Sequence, residues 1–233
     1  MNNWIALIIT FASALGWLRL MDFFAHRGWI ESRLSRKIIH IGTGPIFVLC
    51  WLLFDGEVAS RWMAALVPLA ITVQFALIGL GIIKDEASVK SMSRTGDPKE
   101  LLRGPLFYGI AFVVLTIVFW LDSPVGIVAL MLMCGGDGIA DVVGRKVKSA
   151  KLPWSRNKSV AGSLAVFIGG WVLAMLVVAI YISAGVFAGS IGNYMLPIMI
   201  IAFVGMLVES LYFKDVDNLT VTIAAVVLGL WLF

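Results

Sequence analysis

Charge is scarce in this chain. Asp, Glu, Lys and Arg make up 14% of its 233 residues while 61% are hydrophobic, and a soluble domain carries roughly 25% charged residues to cover its wetted surface. That shortage excludes an ordinary soluble domain and leaves an integral membrane protein. Cysteine is nearly absent: Cys50 and Cys134 both fall inside apolar runs, where they read as packing residues and offer neither a disulfide framework nor a metal pair. The first apolar segment lacks a basic start and a small-residue cleavage pattern, so it is expected to be a retained helix and not a removed signal peptide. No internal repeat, low-complexity tract or long linker interrupts the sequence, and residues 1–233 read as a single transmembrane domain.

What the chain does have is long apolar runs. Those at 4–24, 38–54, 62–83, 105–121, 124–143, 160–184, 194–213 and 219–233 approach the length that crosses a hydrocarbon core of about 30 Å at about 1.5 Å per residue. The second, fourth and eighth are short. The expected fold is therefore all-α and polytopic, with about eight transmembrane helices and a range of seven to nine. Of the 18 Lys and Arg residues, all but Arg19 and Arg61 follow the first, third, fifth or seventh run. By the positive-inside rule those loops are cytoplasmic and, with eight spans, both termini lie outside, as expected of a multi-pass protein of a cell (inner) membrane. The net charge of +4 follows from this asymmetry and is no sign of a nucleic-acid partner.

On this topology the unusual polar residues converge at one leaflet. Asp137 and Asp141 sit in the stretch GGDGIADVVGRKVKSAKLPWSRNKSVAG over 135–162, at the end of an apolar run where a mid-membrane acid costs about 2.5–3.5 kcal/mol. Four residues apart on a helix, their carboxylates share a face, and such a pair suits Mg²⁺, which takes a few carboxylates together with phosphate oxygens. Gly138 and Gly144 would let a phosphate or a neighbouring backbone approach closely. The alternative is a small-residue packing seam with Asp137 paired to a lysine. Arg145, Lys146, Lys148, Lys151, Arg156 and Lys158 follow at once, with a turn at Pro153 and Trp154. They can neutralise a polyphosphate, and Ser159 to Gly162 would offer free backbone N–H groups at a helix start; the alternative is a topology signal attracted to anionic lipid.

Other groups point to the same place. Arg36, Lys37 and His40 lie within little more than one turn, where His40 is either a general base for a hydroxyl or a structural histidine. Asp97, Pro98, Lys99 and Glu100 read as an N-cap, a proline at N1 and an acid at N3, beginning a helix expected to run through Arg103 into the fourth span. Glu209, Asp215, Asp217 and Asn218 form a second acidic group that either completes a metal site or caps the last helix. The candidate set is thus Asp137, Asp141, Lys37 and His40 for catalysis. Arg36, Arg103, Gly138, Gly144, Arg145, Lys146, Lys158, Ser159, Gly162 and Asn218 are candidates for the nucleotide, and Asp137, Asp141, Glu209 and Asp217 for metal.

At these residues the chain resembles the membrane CTP-dependent lipid-alcohol kinases, especially phytol and farnesol kinases, within the polyprenol kinase and phosphatidate cytidylyltransferase superfamily. Five ordered blocks carry the resemblance: Arg36-Lys37 with His40; Glu100-Leu101-Leu102-Arg103-Gly104-Pro105 with Tyr108; Gly136-Asp137-Gly138-Ile139-Ala140-Asp141 with Gly144-Arg145; Lys151-Leu152-Pro153 with Asn157-Lys158-Ser159 and Gly162-Ser163; and Glu209-Ser210 with Asp217-Asn218-Leu219-Thr220-Val221. The resemblance implies an enzyme that uses CTP and Mg²⁺ to phosphorylate a long-chain isoprenoid alcohol lying in the bilayer, with metal and nucleotide roles for Asp137, Asp141, Arg145 and Lys158. The chain departs from the phytol kinase pattern at Lys146-Val147-Lys148 and at Lys214-Asp215-Val216-Asp217-Asn218, so the identity of the alcohol stays open. Two alternatives remain: a cytidylyltransferase forming a CDP-lipid, and a transporter for an anionic lipid or solute, whose acids would be expected nearer the midplane. Oligomeric state, a homodimer included, is not legible in the sequence.

Overall fold

The computed structural model describes residues 1–93, 95–211 and 216–233; the side chains of Ser32 and Asp137 lie outside the described set. Among the described residues ten α-helices follow one another: α1 (Asn3–His26), α2 (Ser32–Cys50), α3 (Ser60–Gly79), α4 (Glu86–Met92), α5 (Gly104–Phe119), α6 (Pro124–Met131), α7 (Asp137–Lys146), α8 (Val160–Ser183), α9 (Ile191–Ser210) and α10 (Asp217–Leu232). Among the described residues, seven spans are long and apolar enough to cross a membrane, and α10 is a shorter apolar helix of 16 residues. The protein is an all-α polytopic membrane protein, as its composition requires. Two runs that look short in sequence gain length from polar first turns. Helix α2 starts at Ser32 and takes in Arg33, Arg36 and Lys37, and the fourth span starts with a 3₁₀ turn at Pro98–Leu102.

That fourth span corrects one expectation. Asp97 does cap its own turn, accepting from the Lys99 N–H at 2.9 Å, but the helix does not run on through Arg103, where φ is −112° and ψ −109°. Pro105 explains the break: it has no N–H for the carbonyl four residues back, and its ring crowds that carbonyl. Glu100 instead reaches back to Thr95, accepting from its backbone N–H and its hydroxyl.

The fifth span is the centre of the bundle. It comprises α6, a π turn at Leu132–Gly136 and α7; 76% of its apolar window is buried, against 22–39% for the other six. Helices α2, α5, α8 and α10 pack around it, with α9 behind α8 and α10, and α1 and α3 outside α2 and α5. Large apolar side chains on the outer helices, such as Trp4, Ile8, Leu176 and Trp231, face outward, as lipid-facing positions do. Between α7 and α8 the basic stretch folds into a small antiparallel hairpin, β1 (Lys151–Leu152) and β2 (Ser155–Ser159), pairing Lys151 with Ser159 and Leu152 with Ser155. Its turn is the expected one at Pro153 and Trp154. The Trp154 indole N–H donates to Ser210 Oγ at 3.1 Å and ties the hairpin to the end of α9.

Candidate active site

A cavity of about 810 Å³ opens at the basic end of the bundle, within the size range of small-molecule sites. It has two unlike parts. The polar part is walled by α2, by α7 through Asp141, Gly144 and Arg145, by the hairpin through Lys151, Asn157 and Lys158, by the first turn of α8, and by Glu209, Asp217 and Asn218. An apolar part runs on from it between α1, α2, α3 and α5.

Helix α2 brings Arg33, Arg36 and Lys37 to one face together with His40 because these residues recur at spacings of three and four. Asp141 stands across from them with a side chain 25% exposed, held by Arg33, whose guanidinium lies 3.3 Å from both carboxylate oxygens, and by Arg145, one turn along its own helix, at 2.9 Å. Arg36 donates to the Ser93 carbonyl at the end of α4 and so fastens that short helix to α2. The neighbouring acidic group has its own counter-ion: Lys158 forms an ion pair with Glu209, whose side chain is 4% exposed. Asp217 Oδ1 accepts the Asn218 N–H at 3.1 Å in the first turn of α10.

The boundary between the two parts of the cavity is an aromatic pair. The rings of His40 and Tyr108 lie 4.5 Å apart. His40 Nε2 is 3.3 Å from the Met133 carbonyl inside the π turn, and the Tyr108 hydroxyl donates to the His40 carbonyl at 3.0 Å while lying 3.1 Å from Cys134 Sγ. A carbonyl only accepts, so Nε2 carries a proton and the basic lone pair of the neutral ring belongs to Nδ1. Cys134 and Cys50 are buried free thiols.

The start of α8 differs from expectation. Its N–H groups are not left for an anion: Val160 donates to the Ala150 carbonyl at 3.0 Å, Ala161 to Ser149 Oγ at 3.0 Å and Gly162 to Ser159 Oγ at 3.2 Å. Ser149 and Ala150, just before the hairpin, and Ser159 at its end supply these acceptors, so the expected backbone anion site is satisfied from within the chain. Among the described residues Ser163 Oγ, on a residue 7% exposed that lines the cavity, makes no hydrogen bond. An orphaned buried hydroxyl facing a cavity is the kind of group a ligand satisfies.

Of the candidate residues, Arg36, Lys37, His40, Asp141, Gly144 and Arg145 line the one cavity, as do Lys158, Ser159, Gly162, Glu209, Asp217 and Asn218. Gly144 and Gly162 do so by letting α7 and α8 cross closely, since a Cβ on Gly144 would stand 3.5 Å from the Gly162 Cα. Three candidates lie elsewhere. Arg103 and Lys146 are exposed outside the cavity, and Gly138 packs against the Ile41 side chain, which would collide with any Cβ there. Asp137 begins α7, but its side chain, like Lys214 and Asp215, lies outside the described residues. Among the described residues no three acidic, His or Cys side chains form a ready metal cluster. Arg33, Tyr108 and Ser163 were not assigned roles from sequence. Arg33 shares the three-and-four spacing but reads in the sequence as a topology charge, and Ser163 carries no local signal beyond its place in a motif block.

Fold and cavity together define an integral membrane protein whose main described cavity is charged at its open end and apolar within. No family model and no solved structure matches the chain. Curated relatives do. A probable phytol kinase, chloroplastic, of Triticum aestivum is 39% identical over 230 residues, 98% of this chain and 77% of that protein. A probable phytol kinase 1, chloroplastic, of Oryza sativa subsp. japonica is 42% identical over 229 residues, 97% of this chain and 73% of that one. The farnesol kinase, chloroplastic, of Arabidopsis thaliana is 39% identical over 209 residues, 89% and 66% of the two chains. The chain belongs to the phytol and farnesol kinase family. These relatives are chloroplastic plant proteins, so they lend no support to an inner cell membrane, and sidedness rests on the loop charges alone.

Proposed function

We propose that this protein is a CTP-dependent kinase that transfers the γ-phosphate to a membrane-embedded isoprenoid alcohol of the phytol, farnesol or geranylgeraniol kind. The observation that carries the reading is the cavity itself, in which a cation-rich mouth continues into an apolar interior. Phosphoryl transfer asks for charge neutralisation and positioning more than for covalent chemistry. Arg33, Lys37, Arg145, Lys151 and Lys158 at the mouth suit a triphosphate, and Ser163 Oγ is a hydroxyl in need of a partner. CTP as the donor rests on the motif resemblance.

The alcohol oxygen attacks the γ-phosphorus, the bond from that phosphorus to the β–γ bridging oxygen breaks, and CDP leaves. The hydroxyl proton passes to a base. His40 stands where the polar and apolar parts meet, with Nδ1 as its basic atom, and the Tyr108 ring packs against it at a tilt of 36°. The donor set for a metal is all oxygen, from Asp141 with Asp137 one turn away and from Glu209 and Asp217, which fits the hard-ligand preference of Mg²⁺. Asp141 and Asp137 would hold it, Asp141 exchanging its ion pairs with Arg33 and Arg145 for the metal as Glu209 would exchange its pair with Lys158. When bound, Mg²⁺ would neutralise charge on the transferring phosphate.

The test is purified protein in lipid with Mg²⁺, a panel of prenols, diacylglycerol and phosphatidate, and CTP labelled at either the γ or the α phosphorus. Label from γ in a prenol phosphate is the expected result. Label from α in lipid would make the protein a cytidylyltransferase, and no transfer from either by folded protein would sink the enzymatic reading.

A further inference from the structure

The apolar part of the cavity has a defined course. It begins at the His40 and Tyr108 rings and descends between α1, α2, α3 and α5, past Ala14, Ile71 and Thr72, to a floor where the rings of Phe47 and Phe112 lie 5.5 Å apart. Phe112 also stands 4.8 Å from Tyr108, so an aromatic wall runs from the junction to the floor. From His40 to Phe47 is seven residues of helix, about 10 Å at 1.5 Å per residue, so the arm stops well inside a hydrocarbon core of about 30 Å. Phe47 and Phe112 are each 3% exposed, and behind them Trp51 fills the core, its ring 5.9 Å from Phe47.

We infer that this arm holds the isoprenoid tail of the acceptor alcohol and that Phe47 and Phe112 form the floor against which the tail's length is measured. The inference rests on the kinase reading for the identity of the alcohol. Continuity fixes the occupant: arm and mouth are one cavity, so a tail lying in the arm puts its head group beside His40, among the cations. A single apolar chain ending in a hydroxyl fits that shape, with the uncharged end among aliphatic and aromatic side chains and the polar end at the junction. Discrimination by length follows, because one methylene more or fewer in a closed apolar pocket changes specificity by about tenfold or more.

Two readouts test this. A prenol carrying a diazirine at its tail, photolysed with the full-length protein in lipid, should label residues of α2, α3 and α5 that line the arm. Unlabelled prenol should compete, and Ile71→Trp, which fills the arm, should abolish the label. In parallel, phosphate transfer from γ-labelled CTP is compared for alcohols of ten, fifteen and twenty carbons. Phe112→Ala should shift the kcat/KM ratio about tenfold toward the longer alcohols and Ile71→Trp toward the shorter. Label confined to outward-facing residues and indifferent to Ile71→Trp overturns the inference, as does an unchanged length ratio in both folded variants. Arm labelling with no transfer to any alcohol upholds the arm and sinks the kinase reading; transfer with label elsewhere does the reverse.

Discussion

The two ends of the bundle carry the same kinds of polar residue and put them to different uses. Away from the cavity, Asn3 donates to Asp55 at 2.7 Å and Ser60 at 3.0 Å, and Arg61 donates to Asp122 at 2.6 Å and to the carbonyls of Ile117 and Val58. These bonds join helix to loop and helix to helix. At the basic end, Arg33, Arg36, Lys37, Arg145, Lys151 and Lys158 face Asp141, Glu209 and Asp217 around one cavity, among the described residues. Charges that match one another hold a fold; cations in excess around a cavity suit an incoming anion.

Asp141→Asn should separate the two uses most sharply. Turnover should fall by about 10²–10³-fold, the usual cost of losing one electrostatic group at a reacting centre. Stability should change by no more than about 1 kcal/mol, because its ion pairs are partly exposed. Near-normal turnover of γ-label would remove Asp141 from the machinery. Lys158 should blur the comparison, since it serves both ends of the argument. Lys158→Ala leaves the buried Glu209 carboxylate without its ion pair and should cost about 3 kcal/mol, besides raising the KM for nucleotide. The double variant Lys158→Met with Glu209→Gln should regain the stability and keep the raised KM; a normal KM in that variant would make Lys158 structural.

At the opposite end, Arg61→Ala should lower stability by about 2 kcal/mol, the value of hydrogen bonds to a charged group, and leave kcat/KM unchanged. A fall in kcat/KM in protein still folded by thermal unfolding would break the contrast. The smallest effect is expected at Asp85, the N-cap of α4. It accepts from the Ser88 N–H at 3.0 Å and the Ser88 hydroxyl at 2.7 Å, and these bonds, the hydroxyl's foremost, hold its carboxyl below the usual range. A carboxyl lowered on folding stabilises fully above its ordinary pKa of about 4 and loses that contribution as pH falls through the lowered value. Asp85→Ala should cost about 1 kcal/mol near neutrality, and the difference from wild type should vanish in acid. A pH-independent difference would show that the carboxylate is not the cap.

How much of this was legible in the sequence follows from how local each signal is. Apolar run length and the placement of Lys and Arg are properties of short segments, so the spans and the polar end could be read directly. The pairing of Lys158 with Glu209 spans 51 residues and leaves no trace in either neighbourhood. The backbone donors of α8 looked available because helix starts usually are; only the folded hairpin brings Ser149 and Ala150 over them. Arg36 reads as a phosphate ligand, and its bond to Ser93 depends on where α4 comes to rest. The apolar arm needs four helices at once, so no single run reveals it.

The π turn at Leu132–Gly136 sets an angle. A single residue of excess in a helix rotates everything beyond it by about 100° relative to an uninterrupted α-helix. Helix α6 is buried on all sides, so its rotation is fixed by the core, and α7 inherits its facing from α6 through that turn. Deleting one residue between 132 and 136 would absorb the excess and keep the facing of Asp141, whereas re-winding residues 132–136 as regular α-helix with none removed would leave every side chain of the site in the chain and swing Asp141 by roughly a quarter turn, off the cavity. The protein would then have a complete set of parts assembled out of phase.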